Sequence, residues 1–114
     1  MIGFSVPTEM ISGELTTTAG DSTFANASSS YVSQVTSIII TGQDGFTTKR
    51  TVTIYKGGTA DLNEKFNIEI DPTTSPNVTI QVPFLLTGTD AIYVKQDTGT
   101  DVNIEVSGTV TQLN

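Results

Sequence analysis

Close to the C-terminus the chain reads Val102-Asn103-Ile104-Glu105-Val106-Ser107. Successive side chains of a strand point to opposite faces. Val102, Ile104 and Val106 therefore share one face, and Asn103, Glu105 and Ser107 share the other. The same period of two runs back through the sequence. Ile92 and Val94 alternate with Tyr93 and Lys95. Val78, Ile80 and Val82 alternate with Asn77, Thr79 and Gln81. Phe66, Ile68 and Ile70 oppose Lys65, Asn67 and Glu69. Val52 and Ile54 share a face in Thr51-Val52-Thr53-Ile54-Tyr55. Strands of this kind are dry on one side and wet on the other. Two sheets stacked on their dry faces make an antiparallel β-sandwich.

Turn residues separate these runs at short intervals. Gly42-Gln43-Asp44-Gly45, Lys56-Gly57-Gly58-Thr59, Gly88-Thr89-Asp90 and Asp97-Thr98-Gly99 each close a strand. Asp71-Pro72-Thr73-Thr74-Ser75-Pro76 is a stiffer crossing, since each Pro fixes φ and removes a donor. Gly108 interrupts the last strand and marks a bulge or a close backbone contact. Tyr31 to Ile40 reads as the longest strand, with Ile38-Ile39-Ile40 buried on both faces and hence central. Two short strands are expected around Ala19-Gly20-Asp21. Residues 1–10 read as an N-terminal arm, with Pro7 ending any pairing, and residues 11–114 as a single domain. The spacing predicts an all-β, jelly-roll-like sandwich of about eight strands.

Composition agrees. The 114 residues include 21 Thr, 10 Ser, 10 Val and 11 Ile, and β-branched side chains fit a pleated surface. With no Cys and no His, disulfides, thiolate metal sites, imidazole bases and Ser-His triads are excluded. Five Lys and Arg against twelve Asp and Glu give a net charge of −7, which would repel a phosphate backbone. The longest apolar run, Ile38-Ile39-Ile40, is far short of the roughly 20 residues of a membrane helix. The start has neither the basic nor the long apolar region of a signal peptide, so synthesis in a cytoplasm is expected.

Chemistry-bearing clusters are few. Asp97 and Asp101 flank Gly99 and form a cation turn or, as preferred here, cap the turn with their carboxylates. Glu69 with Asp71, or with Glu105, has the makings of a two-carboxylate hydrolase pair, but solvated outer faces explain all three. Gly57-Gly58 follows Lys56 in the wrong order for a phosphate loop and has no helix after it. Lys49-Arg50 is the one adjacent basic pair; it either meets an acidic partner or, as preferred here, solvates a strand start. Asn26-Ala27-Ser28 and Asn77-Val78-Thr79 are sequons of the kind expected by chance in a chain rich in Ser, Thr and Asn. No catalytic residue, cofactor or metal site is assigned. By parity Tyr55 and Tyr93 point away from the apolar faces of their strands. They either meet a partner, since Tyr covers much area at small entropy cost, or lie flat on their own sheet. Ile2, Phe4 and Val6 of the arm complete the candidate partner-binding residues.

The order of features from Tyr31 onward is familiar. Val35-Thr36-Ser37-Ile38-Ile39-Ile40 leads to a Gly/Asp turn, then Lys49-Arg50-Thr51-Val52-Thr53-Ile54-Tyr55 with Gly57-Gly58-Thr59. Later come Leu85-Leu86-Thr87-Gly88-Thr89-Asp90-Ala91-Ile92-Tyr93-Val94 and the terminal Val102-Asn103-Ile104-Glu105-Val106-Ser107-Gly108. This resembles small β-sandwich structural proteins of tailed bacteriophage virions, above all capsid decoration (cement) proteins and some tail-associated modules. In that pattern Leu-x-x-Gly-Asp-x-Ile-x-Val precedes a terminal Val-x-Val-x-Gly strand. Here Thr89 separates Gly88 from Asp90 and lengthens the turn. The resemblance covers about three quarters of the chain. It implies a non-enzymatic protein on the outside of a virion shell, bound to the major capsid protein. A homotrimer is the expected oligomer, because trimers suit local threefold positions of a capsid lattice. Neither nucleic acid nor membrane is an expected partner. The alternatives are a tail or fibre-associated module and, in another class, a carbohydrate-binding module or adhesin with exposed aromatic rings.

Overall fold

The alternating stretches pair as antiparallel strands throughout. A computed structural model describes residues 5–43, 45–81 and 83–113, with the exception of the Phe84 side chain. Among these residues the strands are β1 (Ser5–Glu14), β2 (Thr23–Ala25), β3 (Tyr31–Gly42), β4 (Arg50–Lys56), β5 (Glu64–Ile70), β6 (Asn77–Ile80), β7 (Phe84–Leu86), β8 (Ala91–Gln96) and β9 (Val102–Gln112). Two 3-10 turns, Ala19–Asp21 and Asp61–Asn63, are the helical content among them. One sheet runs β1-β9-β3-β6, with β7 also on β3, and the other runs β2-β8-β4-β5.

β6 pairs with one half of β3, where Ile38 faces Ile80, and β7 with the other, where Val35 faces Phe84. The two act as one strand broken around Pro83. Eight strands then remain. The first pairs with the eighth, the second with the seventh, the third with the sixth and the fourth with the fifth. This is an antiparallel ribbon wrapped into two sheets, closed by the β3–β9 and β4–β8 ladders. The fold is thus a jelly roll.

The dry faces meet in one core. Leu15, Val35, Ile38, Ile40, Val52, Ile54, Ile70, Leu86, Ile92, Val94, Val102, Ile104 and Val106 are buried there. Burying each such side chain contributes about 1.5–3 kcal/mol, set against the conformational entropy of ordering the chain. Asn26 is a polar member of the interior. Its Nδ2 lies 2.8 Å from the carbonyls of Tyr31 and Gly88 and 3.0 Å from that of Ser28, and its Oδ1 accepts from the Ser33 hydroxyl at 2.7 Å. This side chain holds the β2–β3 loop together, and its sequon is therefore a structural feature of the interior.

Three expectations need correction. Ile39 is 37% exposed while Ile38 and Ile40 are buried, so β3 is central but has only one dry face. Pro7 does not end pairing, because it sits opposite Thr109 inside β1. β1 is a sheet edge, where a missing N–H can face the open side. Residues 5–10 therefore belong to the sandwich rather than to an arm, and residues 1–4 lie outside the described residues.

Two bulges meet at one level of β9. Met10 is the extra residue on β1, between pairs that face Ser107 and Val106. Thr36 is the extra residue on β3, between pairs that face Gly108 and Ser107. At this level a side chain on Gly108 would overlap the Gln34 carbonyl oxygen and come within 2.7 Å of Met10 Cε. The backbone oxygen has little room to retreat, since β3 is held on both sides. Gly108→Ala is expected to lower stability by about 1–3 kcal/mol, the range for overpacking a tight site. Urea unfolding followed by circular dichroism checks this; a midpoint equal to that of the parent chain would refute the close approach.

Candidate interaction surfaces

On β4, Val52 and Ile54 enter the core, so Thr53 and Tyr55 face the opposite side of the sheet. In register, Tyr55 stands directly across from Tyr93 on β8, and Thr53 from Lys95. On the β5 side Tyr55 faces Glu64, and the Thr53 hydroxyl donates to Asn67 Oδ1 at 2.8 Å. The two rings are therefore cross-strand neighbours on one outer face. Their exposures differ: Tyr55 is 5% exposed, whereas Tyr93 is half-buried. This face offers Tyr93 to a partner, with Tyr55 packed down beside it.

Val6 lies elsewhere. It faces Val110, which faces Ser33, which in turn faces Leu86 across the β1-β9-β3-β7 sheet. Ser33 and Leu86 are fully buried, but Val6 is 49% exposed. The inner face of this sheet is thus covered at β3 and β7 and uncovered at the β1 edge. The cause is length. β1, β3 and β9 have 10, 12 and 11 residues, while β2, β8 and β4 have 3, 6 and 7. Val6 and the Tyr pair sit on different sheets and form no common patch. Ile2 and Phe4 lie outside the described residues.

Sequence reasoning missed the other outer face. Rows of cross-strand neighbours run Glu9–Ser107–Ser37, Ser12–Glu105–Ile39–Thr79 and Glu14–Asn103–Thr41–Asn77. Ile39 and, farther along, Leu85 at 48% are exposed there among polar side chains. Two shallow depressions lie on this sheet. One, of about 310 Å³, includes Ser12, Ile39, Thr41 and Glu105; the other, of about 430 Å³, includes Pro7, Glu9, Thr36 and Thr109. Alternation applied strictly to Ile38-Ile39-Ile40 carries the signal for Ile39, because a strand with one wet face must expose the middle residue.

The carboxylates at the loops serve the fold. Asp97 Oδ1 accepts the backbone N–H groups of Thr51 and Thr98 at 3.1 and 2.9 Å. Asp101 takes a two-pronged contact from Arg50, with Nε to Oδ1 and Nη2 to Oδ2 both at 3.0 Å. These side chains are only 16% and 20% exposed. Arg50 is thus a lock between the start of β4 and the β8–β9 loop; of the two readings the acidic partner holds for Arg50, not the preferred solvated strand start. Glu69 on β5 and Glu105 on β9 belong to different sheets and cannot act as a pair. Asp71 Oδ1 accepts the Thr73 hydroxyl at 2.7 Å, its N–H at 2.8 Å and the Thr74 N–H at 3.4 Å. The Thr73 hydroxyl bond first, then the backbone N–H bonds and the Lys49 charge, hold the Asp71 carboxyl below the usual carboxylate range; partial desolvation opposes them. Among the described residues no group of three or more His, Cys, Asp or Glu is placed to hold a metal ion.

No family model matches the chain, and no curated protein matches it. Some solved structures are similar to it. One is a pilus of Bacillus endospore appendages, described as disulfide-linked, with a TM-score of 0.51 and 13% identity over 98% of this chain and 91% of that one. Another is exo-β-1,3-galactanase from Phanerochaete chrysosporium, at 0.45 and 14%, covering 96% of this chain but 29% of the enzyme. A third is Tomato aspermy virus, at 0.41 and 11%, covering 98% and 79%. At 13% identity the likeness to the endospore pilus is one of fold alone.

Two outcomes follow from the loop contacts. A double-mutant cycle with Arg50→Ala and Asp101→Ala should give a coupling of about 1–2 kcal/mol, above the range of exposed pairs, because the contact is two-pronged and mostly covered. Coupling near zero in urea unfolding would show the lock to be inert. For Asp71, a carboxyl whose pKa falls on folding stabilises the fold above its unfolded pKa, and this contribution is lost as pH falls through the folded value. Asp71→Asn should therefore flatten the acid limb of the stability–pH profile, and carboxyl NMR titration should place the Asp71 midpoint below those of exposed carboxylates.

Proposed function

We propose that the chain is a non-enzymatic virion structural protein that decorates and stabilises a bacteriophage capsid. The observation that carries this reading is how the jelly roll distributes its polar groups. The carboxylates of Asp71, Asp97 and Asp101 are tied into loops, and Asn26 into the interior. What faces outward is two broad sheet surfaces in which Thr, Ser, Asn and Gln surround a few Glu and Lys, with Ile39, Leu85 and Tyr93 among them. Their uncharged polar groups desolvate at lower cost than charges, and such mixed surfaces suit docking against another protein. The resemblance to phage decoration proteins supplies the kind of partner, the major capsid protein. Trimeric assembly fits threefold lattice positions.

A second reading is a subunit of a fibre or tail, favoured by the shared fold of the endospore pilus. Any such fibre must be held without disulfides, because this chain has no Cys. The carbohydrate reading required a platform of two exposed rings, and Tyr55 at 5% exposure does not provide one.

Co-sedimentation of the purified protein with capsids of the encoding phage, with light scattering of the free protein, tests the proposal. A trimer that co-sediments at fixed stoichiometry is the expected result. A monodisperse monomer that stays in the supernatant would overturn it. Rings or filaments on tails in electron micrographs would favour the second reading.

A further inference from the structure

The chain's five cations are Lys49, Arg50, Lys56, Lys65 and Lys95. All lie on β4, β5 or β8, or immediately before β4, hence on one sheet. The strands of the other sheet carry none. They carry Glu9 and Glu14 on β1 and Glu105 on β9, exposed in three successive rows of the outer face. Ile39 lies next to Glu105 on that face, and Leu85 is exposed across from Gln34. On the opposite outer face, Lys95 neighbours Thr53 one row from the Tyr93–Tyr55 pair. Lys65 is exposed on β5 at the bulge beside Tyr55. Arg50 is engaged by Asp101, and Lys49 stands 3.9 Å from both Glu69 and Asp71. Lys65 and Lys95 enter no ion pair among the described residues, nor do Glu9, Glu14 and Glu105.

We infer that these two faces dock on each other between copies of this chain. The Glu9/Glu14/Glu105 face of one copy, with Ile39 and Leu85, seats on the Tyr93/Lys65/Lys95 face of the next. Like-on-like pairing of the first face would set Glu against Glu with no cation between them, which excludes it as a partner for itself. Opposite-face pairing sets the three Glu against the face that holds Lys65 and Lys95 beside Glu64 and Glu69, and offers the exposed Ile39 an aromatic neighbour in Tyr93. The protein is 51 Å long and 18–25 Å across, so such a face has room for the roughly 800 Å² per partner of a standard interface. The contact is head-to-tail, and it propagates as a closed ring or an open row. It concerns contacts between copies, so it stands or falls separately from capsid binding.

Sedimentation velocity of the full chain over a concentration series, at about 0.02 M and about 0.5 M salt, tests this inference, because the Debye length shrinks several-fold between them. The parent chain should associate at low salt and dissociate at high salt. Glu9→Lys/Glu14→Lys/Glu105→Lys and Lys65→Glu/Lys95→Glu should each remain monomeric at the concentration where the parent associates. An equal mixture of the two should associate again, since each reversed face then meets a complement. Circular dichroism and urea midpoints show whether both variants are folded. Should one triple or double reversal fail to fold, Ile39→Ser and Tyr93→Ser test the same faces, each expected to weaken association about tenfold, the scale of a central apolar contact. A parent chain that is monomeric at low salt, association that survives both reversals, or a mixture that stays monomeric would overturn the inference. Reversal variants that stop self-associating yet still co-sediment with capsids would leave capsid decoration intact. A parent chain that self-associates but ignores capsids would support this inference and remove that function.

Discussion

The path of β9 between β1 and β3 is the constraint on which the architecture depends. β9 joins the first and last parts of the chain in one sheet, and it supplies Val102, Ile104 and Val106 to the core. Its Gly108 admits no side chain because the Gln34 carbonyl lies against it. Bulges at Met10 and Thr36 fall on both sides of this point. An extra residue on each flanking strand bends and twists the sheet locally. The sheet can therefore continue past the kink to Gln112 while its upper half stays over the shorter opposite sheet. The overhang at Val6 follows from that mismatch of lengths.

Polar contacts then fix how the two sheets join. Gln96, fully buried at the end of β8, donates its Nε2 to the Leu15 carbonyl at 2.8 Å, and its backbone N–H reaches the Thr16 carbonyl at 3.0 Å. This pins the point where the chain leaves β1 for the opposite sheet. Asn26 does the same for the passage from β2 to β3. Arg50 and Asp101 tie the start of β4 to the β8–β9 loop at the same end as Gln96. Hydrogen-bonded polar groups inside a core are costly to leave unpaired, so each of these sites selects one arrangement of loops as well as adding stability. A core of Ile and Val alone tolerates repacking, whereas these contacts do not.

Most of the strands were legible from sequence because their period of two is unbroken. Phe66, Ile68 and Ile70, or Val102, Ile104 and Val106, need no tertiary information to be placed. β1 was not legible, for a physical reason. The bulge at Met10 turns Met10 and Ile11, adjacent in sequence, into the same interior, at 7% and 6% exposure. Alternation fails there, and Pro7 then reads as a stop. The bulge at Thr36 likewise spaces Val35 and Ile38 three apart. The triplet at 38–40 misled in the opposite sense, since three apolar residues in a row suggest two dry faces. Arg50 and Asp101, 51 residues apart, carry no local signal of their pairing. Of the candidate partner residues, the parity of Tyr55 and Tyr93 could be read, but the packing of Tyr55 against its own sheet could not.

The charge arrangement is the least expected property and the one that composition hides. A net charge of −7 suggests a uniformly acidic surface. The strands instead divide: Glu9, Glu14 and Glu105 with no cation on one sheet, and Arg50, Lys56, Lys65 and Lys95 against Glu64 and Glu69 on the other. Among the described residues the remaining acidic ones lie in loops and 3-10 turns, with Lys49 beside them. The ribbon wrapping of a jelly roll produces this division from a simple sequence layout. Its first and last strands become neighbours, so a cation-free start and end fall on one sheet, while the basic middle supplies the other. Overall repulsion between loops keeps free copies apart at long range. Complementary faces act only at contact, within a Debye length. A chain with this division can stay dispersed before assembly and still recognise its neighbour in one orientation.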